Sequence, residues 1–254
     1  MMGYQNRNKA SGVLKDGLKN VQKNMSKGIL ADVPVHMTPE LNKAINDYMQ
    51  TVHFDEAKEH IYLYPLEYLK ADTARLATIQ DLQKSCPSFI LYGFAWFYII
   101  DLSEVFPVRF WEYLDEEMVA RWEGISEEKV REAALENINR KRLSVRETEF
   151  MDGCAYPHTP IAVHELAMQD VAAVPSYGCS LMLSDEYLDW LHEEFGDYYL
   201  FPYSDHTLYL IAAYDVINAE RTAQECFASV AAAHQLTDSV LSDRMLFVDS
   251  DFLR

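Results

Sequence analysis

Cys154, His158 and His164 sit close together in the chain, Glu165 follows at once, and Cys179 lies a little beyond. Thiolate and imidazole are ligands that zinc prefers, so this stretch has the donor types of a zinc site. The spacing matches no standard site. His164 and Glu165 lack the second histidine of a helical HExxH pair, and Pro157 and Pro160 place the segment in a loop. The competing reading is a polar loop with one buried cysteine, on which the chain binds no metal or other cofactor.

A second group could do covalent chemistry. Cys179 and Ser180 follow the turn formed by Pro175, Ser176, Tyr177 and Gly178, while Asp205 and His206 lie in a later turn. Together they supply a nucleophile, a base and an orienting carboxylate. No GxSxG elbow or cysteine-protease context surrounds them. The plainer expectation is that Asp205 satisfies turn amides and His206 begins a strand. Runs such as Asp115, Glu116 and Glu117, or Glu193 and Glu194, read as solvating helix faces. The basic group Arg140, Lys141, Arg142 and Arg146 falls near a helix end, where it complements the dipole. No P-loop, GxGxxG fingerprint or kinase signature is present, so nothing argues for a nucleotide.

Charge is polarised along the chain. Residues 1–30 hold six basic residues and one acid, a charge of +5, which leaves −23 for the rest of a chain whose net charge is −18. Lys15, Lys19, Lys23 and Lys27 recur every four residues beside an apolar stripe of Leu18, Val21 and Met25. That pattern predicts a basic amphipathic helix, and these seven residues are the expected partner-binding surface. Glycines at 12, 17 and 28 weaken the helix, which is therefore expected to order on contact. An acidic body opposes direct binding of nucleic acid. The longest uncharged apolar stretch, 86–100, is shorter than the roughly 20 residues of a membrane-spanning helix. The four cysteines form no CxxC pair, and the polar start has no continuous apolar stretch of a secretory leader. A cytoplasmic protein with reduced thiols is expected.

The elements that must position these residues follow from periodicity. Thr38, Pro39 and Glu40 open a helix, and a second helix is expected over 66–84. Aromatic and β-branched runs at 89–102 and 105–113 predict a hairpin whose rings pack in a core rather than form a ligand-stacking cage. Helices are expected over 115–122, 126–142, 184–195 and 216–234. Strands are expected at 171–174, 179–183, 198–201, 207–214 and 245–248. The fold class is α+β: a mixed or mainly antiparallel sheet built from hairpins and covered by helices, with a helical N-terminal region. Three parts are expected: the basic segment 1–30, a helical region 31–86 and an α+β domain over 87–254.

The run from Ile125 through Ser126, Glu127, Glu128, Lys129 and Val130 to Asn137 resembles the helix after the first hairpin in the YtpQ-like family of uncharacterised bacterial proteins. Tyr177, Gly178, Cys179 and Ser180 are similar to that family's strand-entry motif, and 183–194, 199–211 and 246–252 follow its order of helix, hairpin and closing strand. The resemblance covers roughly 89–254 and implies the fold without implying a reaction. The chain is thus expected to be a non-enzymatic interaction or adaptor protein that binds a protein partner, in a bacterial or mobile-element setting. The alternative is a hydrolase-like or metal-dependent enzyme using the Cys154, His158 and His164 loop or the Cys179 and His206 turns. A further alternative is an acidic mimic of nucleic acid that occupies a basic groove.

Overall fold

The computed structural model describes residues 38–68, 73–106, 108, 110–140, 142–149, 162–169, 178–202, 207–213 and 245–253. Helix α1 (Pro39–Thr51) begins as expected: the Thr38 hydroxyl accepts the Leu41 amide hydrogen at 3.2 Å, and proline takes the first turn, where its missing N–H costs nothing. It buries Ile45 and Met49, one turn apart. A short helix α2 (Phe54–Ala57) and a 3-10 turn, Lys58–His60, lead into strand β1 (Ile61–Glu67).

The expected helix over 66–84 is corrected at this point. Leu66 lies in β1, and helix α3 covers Thr73–Leu82. Ile61, Tyr62, Leu63 and Tyr64 form an apolar, strand-favouring run, and Pro65 is tolerated because β1 is an edge strand. Residues 31–86, expected to be helical, therefore contribute a strand to the first sheet.

Strand β3 (Phe94–Asp101) is the spine of that sheet. β1 pairs along one side of it, and β2 (Ser88–Leu91) and β4 (Trp111–Tyr113) lie along the other, all antiparallel. Every side chain from Phe94 to Ile100 is buried, because both faces are covered. Phe94, Trp96, Tyr98 and Ile100 join the main core, while Ala95 and Phe97 pack with Ile79 of α3 and with Cys86. The expected hairpin over 89–113 is thus two pairings: β2 turns into β3 through Tyr92 and Gly93, and β4 returns to the far end of β3.

Helix α4 (Glu116–Arg121) is capped by Asp115, whose Oδ1 accepts the Met118 amide hydrogen at 2.6 Å. Helix α5 (Glu127–Arg140) buries Val130, Ala133, Ala134, Asn137 and Ile138 at helical spacing. Arg140 is held at its end by Glu59 at 2.6 Å and Glu136 at 3.1 Å.

The second sheet has the order β5-β6-β8-β7-β9, from β5 (Arg142–Glu149), β6 (Ala162–Gln169), β7 (Tyr198–Pro202), β8 (Thr207–Ala212) and β9 (Leu246–Val248). The β7 and β8 hairpin and the closing strand are where the sequence places them. So is helix α6 (Asp185–Phe195), which opens with Ser184 accepting the Tyr187 amide hydrogen at 3.3 Å and ends at Gly196 with φ 66°. Two expectations are corrected. His164 and Glu165 lie within β6, where they pair with Leu210 and Tyr209 of β8, not in a loop. The stretch expected as a strand over 179–183 is a 3-10 helix, Gly178–Leu183. Cys179, Ser180, Leu181 and Met182 are all buried in succession, so surrounding contacts override the strand-like pattern. Helix 216–234 and strand 171–174 lie outside the described residues.

Leu166, Leu208, Leu210, Tyr198, Leu200 and Val248 of the second sheet share one core with Ile61, Leu63, Phe94 and Trp96 of the first. The protein is α+β, with two antiparallel sheets and helices over them. Among the described residues, no helix is long and apolar enough to cross a membrane.

Candidate functional site

Lys15, Leu18, Lys19, Val21, Lys23, Met25 and Lys27 lie outside the described residues, as do Cys154, His158, Asp205 and His206. Four members of the candidate chemistry are described: His164, Glu165, Cys179 and Ser180. His164 is half-buried in β6, and its ring meets Phe195 at 4.7 Å between centroids. Cys179 is fully buried in the 3-10 helix. Its neighbour Ser180 is buried as well, and its hydroxyl donates to the Leu63 carbonyl at 2.6 Å. A thiol and a hydroxyl in the core have no path to a substrate, so their described role is packing and sheet anchoring. Among the described residues, no three His, Cys, Asp or Glu side chains come together to hold a metal ion.

The sequence did not point to Asn137 as a polar anchor. It is buried on the apolar face of α5, and its amide nitrogen donates to the carbonyls of Lys58 at 2.6 Å and Ile61 at 2.8 Å. Ile61 and Leu63 turn their carbonyls to the same open side of β1, so Asn137 and Ser180 satisfy two successive edge acceptors. The available signal was an amide recurring in phase with Val130, Ala133, Ala134 and Ile138.

Among the described residues, a cleft between the two sheets has the shape of a binding site. It encloses about 310 Å³ and is lined by Tyr92, Gly93, Phe94, Met182, Pro202, Met245 and Leu246. Its construction starts at the two-residue turn between β2 and β3. Tyr92 has φ 54° and Gly93 φ 87°, the pair of positive values required by a type I′ hairpin turn. Glycine adopts that conformation freely; tyrosine is strained in it, where asparagine is the usual side-chain-bearing residue. Tyr92 is the sole non-glycine residue with positive φ among those described.

The aromatic wall is fixed from the chain's far end. The Asp249 carboxylate accepts the amide hydrogens of Asp251 at 3.0 Å and Phe252 at 2.8 Å. That turn brings the Phe252 ring to 5.4 Å from the Tyr92 ring. Burial pushes the Tyr92 hydroxyl up from its ordinary pKa, and the nearby Asp185 carboxylate adds to the rise. Tyr92 therefore stays neutral at physiological pH and offers a ring with a hydrogen-bonding tip. Met182 and Met245 add flexible, polarisable walls that adapt to an incoming side chain. The lining consists of apolar groups and this one phenol, which suits a contact by shape and burial rather than proton or acyl transfer.

No family model matches the chain, and neither a curated protein nor a solved structure matches it.

Proposed function

We propose that this protein is a non-enzymatic adaptor that binds other proteins, and that the cleft behind Tyr92 receives an apolar side chain of a basic partner. The observation that carries the reading is Tyr92 itself: a ring held in a backbone conformation that favours glycine or asparagine, supported by Phe252, at a cleft that two methionines also line. Strain of this kind persists where the side chain has a use that outweighs it. The net charge of −18 favours a basic partner and speeds its approach. The basic stripe of Lys15, Leu18, Lys19, Val21, Lys23, Met25 and Lys27 supplies a second point of attachment. A cytoplasmic setting accords with Cys86 and Cys179 as free thiols, and kinship with the YtpQ-like family over 89–254 belongs to the same proposal.

Tyr92→Asn is the informative variant, because it removes the aromatic wall while suiting the turn. Affinity capture from the source cell should recover a partner with the wild-type chain and lose it with Tyr92→Asn. The purified pair should then show the same loss by calorimetry. Equal capture by Tyr92→Asn, or no partner for the wild type, would overturn the reading. A partner lost only on deletion of residues 1–30 would transfer the contact to that segment and remove the cleft from it.

A further inference from the structure

We infer a docking surface separate from the cleft: the outer edge of strand β2 pairs, backbone to backbone, with an extended segment of a basic protein partner. β2 lies at the edge of the first sheet, and among the described residues no strand but β3 pairs with it. The direction of its bonding follows from the turn. Leu91 and Phe94 flank Tyr92 and Gly93 and so exchange both backbone hydrogen bonds, and the alternation of an antiparallel ladder turns Phe89 toward β3 as well. Ser88 and Ile90 are left with their N–H and C=O directed away from the sheet, and among the described residues no backbone hydrogen bond reaches them there. None of the four residues of β2 is buried, and Ile90 is 49% exposed.

The other edges carry protection that β2 lacks. On β1, Asn137 and Ser180 take the outward carbonyls of Ile61 and Leu63, and Pro65, next in the same phase, has no amide hydrogen to offer. β5 holds Arg142, Arg146, Glu147 and Glu149, and β9 is three residues long. β2 reads Ser88, Phe89, Ile90 and Leu91, with no charge, no proline and an apolar side chain in the open. Such an edge is a template for a strand, so its occupant is an extended chain rather than a helix or a small molecule. The sign of the partner's charge follows from the surroundings. The chain carries −18 overall, and burial pushes the Cys86 thiol up with the carboxylates of Asp115, Glu116 and Glu112 adding to the rise, which places three acids at the entry to β2. Arg131 packs on Phe89, whose side chain points to the opposite face from Ile90. A second copy of the chain would bring another −18, so the surface favours a basic partner over self-pairing.

The test is titration of the full chain with a nonapeptide of alternating lysine and valine at about 0.15 M salt, a physiological ionic strength, against the same peptide N-methylated at every backbone amide. Methylation keeps the charge and the side chains and removes the donors that a strand needs. The unmodified peptide should bind at least about tenfold more tightly, the worth of two backbone hydrogen bonds. It should also slow hydrogen exchange at the Ile90 amide several-fold and leave that of Leu91, already bonded to β3, unchanged. Ile90→Pro removes the outward donor at a position where the sheet does not use it, and should weaken the unmodified peptide about fivefold. Tyr92→Asn, which acts on the cleft, should leave the affinity unchanged, so failure of the cleft reading and failure of this one are told apart. If circular dichroism shows Ile90→Pro to be unfolded, the two peptides compared on the wild type decide the matter. Equal binding of the methylated peptide assigns the contact to charge alone and overturns the inference, as does no binding of either peptide. Tighter binding after deletion of residues 1–30 would place the chain's own basic segment on the edge and overturn it too. A wild-type dimer in sedimentation that Ile90→Pro converts to a monomer would give the edge to a second copy, with the same result.

Discussion

Asn137 and Ser180 hold the open side of β1, and the consequence is measurable because both lie in the core. Asn137→Ala leaves the buried Ile61 carbonyl without its amide donor, while the Lys58 carbonyl keeps the Ile61 amide hydrogen, and should cost about 1–3 kcal/mol in urea unfolding. Asn137→Asp should cost more at neutral pH, since a carboxylate cannot donate to Lys58 or Ile61 and brings a charge into the core. Ser180→Ala loses one such bond and should cost about 1–2 kcal/mol. A loss below about 0.5 kcal/mol for Asn137→Ala would mean that water replaces the amide and that the edge is not sealed as described. Composition hid this role. Asn137 reads as one more polar residue of an amphipathic helix until β1 is known to lie under it. Ser180, by contrast, stood out beside Cys179 for a chemistry that its burial removes.

Elements with strong local signals were legible. Thr38 and Ser184 cap helices as their types predict, and Gly196 ends α6, whereas Asp115, which reads as part of a solvating acidic face, is the cap of α4. The β7 and β8 hairpin also follows its apolar pattern. β5 and β6 were not legible: Arg142–Glu149 is rich in charge, and Ala162–Gln169 mixes helix formers with strand formers, so only pairing with each other and with β8 makes them strands. The cleft was hidden for a related reason. Tyr92 and Gly93 were absorbed into one long apolar run, whereas their positive φ values fold it back on itself. That turn makes its own prediction. Gly93→Ala puts a Cβ at φ 87° and should destabilise the protein by about 1–2 kcal/mol, lowering Tm by several degrees. Tyr92→Asn should leave Tm nearly unchanged, because relief of the turn offsets the lost contact with Phe252. A large drop for Tyr92→Asn would show that the ring is needed for folding and would disqualify it as a probe of binding.

At the scale of the whole molecule, one core joining two sheets buries many phenols in an already acidic protein, and alkaline pH should expose this. Burial pushes Tyr48 up to about 12, with Glu56 adding to the rise, and pushes Tyr113 up to about 12, with the Cys86 thiolate adding to it. Tyr98 and Tyr198 are raised further, again chiefly by burial. In the unfolded chain a tyrosine ionises near pH 10. A pKa raised on folding means that the native state holds its proton more tightly. The stabilisation is therefore complete below about pH 10 and is lost as pH rises through about 12. Loss of lysine charge near the same pH acts in the same direction on a body with net charge −18, so the tyrosines must be separated from it. Tyr48→Phe removes one half-buried ionisable group packed against the core and keeps its ring contact with Phe106 at 5.7 Å. Urea midpoints measured at pH 8, 10 and 11 (about two units below the ordinary tyrosine pKa to one above it) should fall for the wild type and fall less for Tyr48→Phe. Tyrosine absorbance should show ionisation of Tyr48 arriving together with unfolding. Parallel curves for the two proteins would assign alkaline instability to surface charge, and the core phenols would have no part in it.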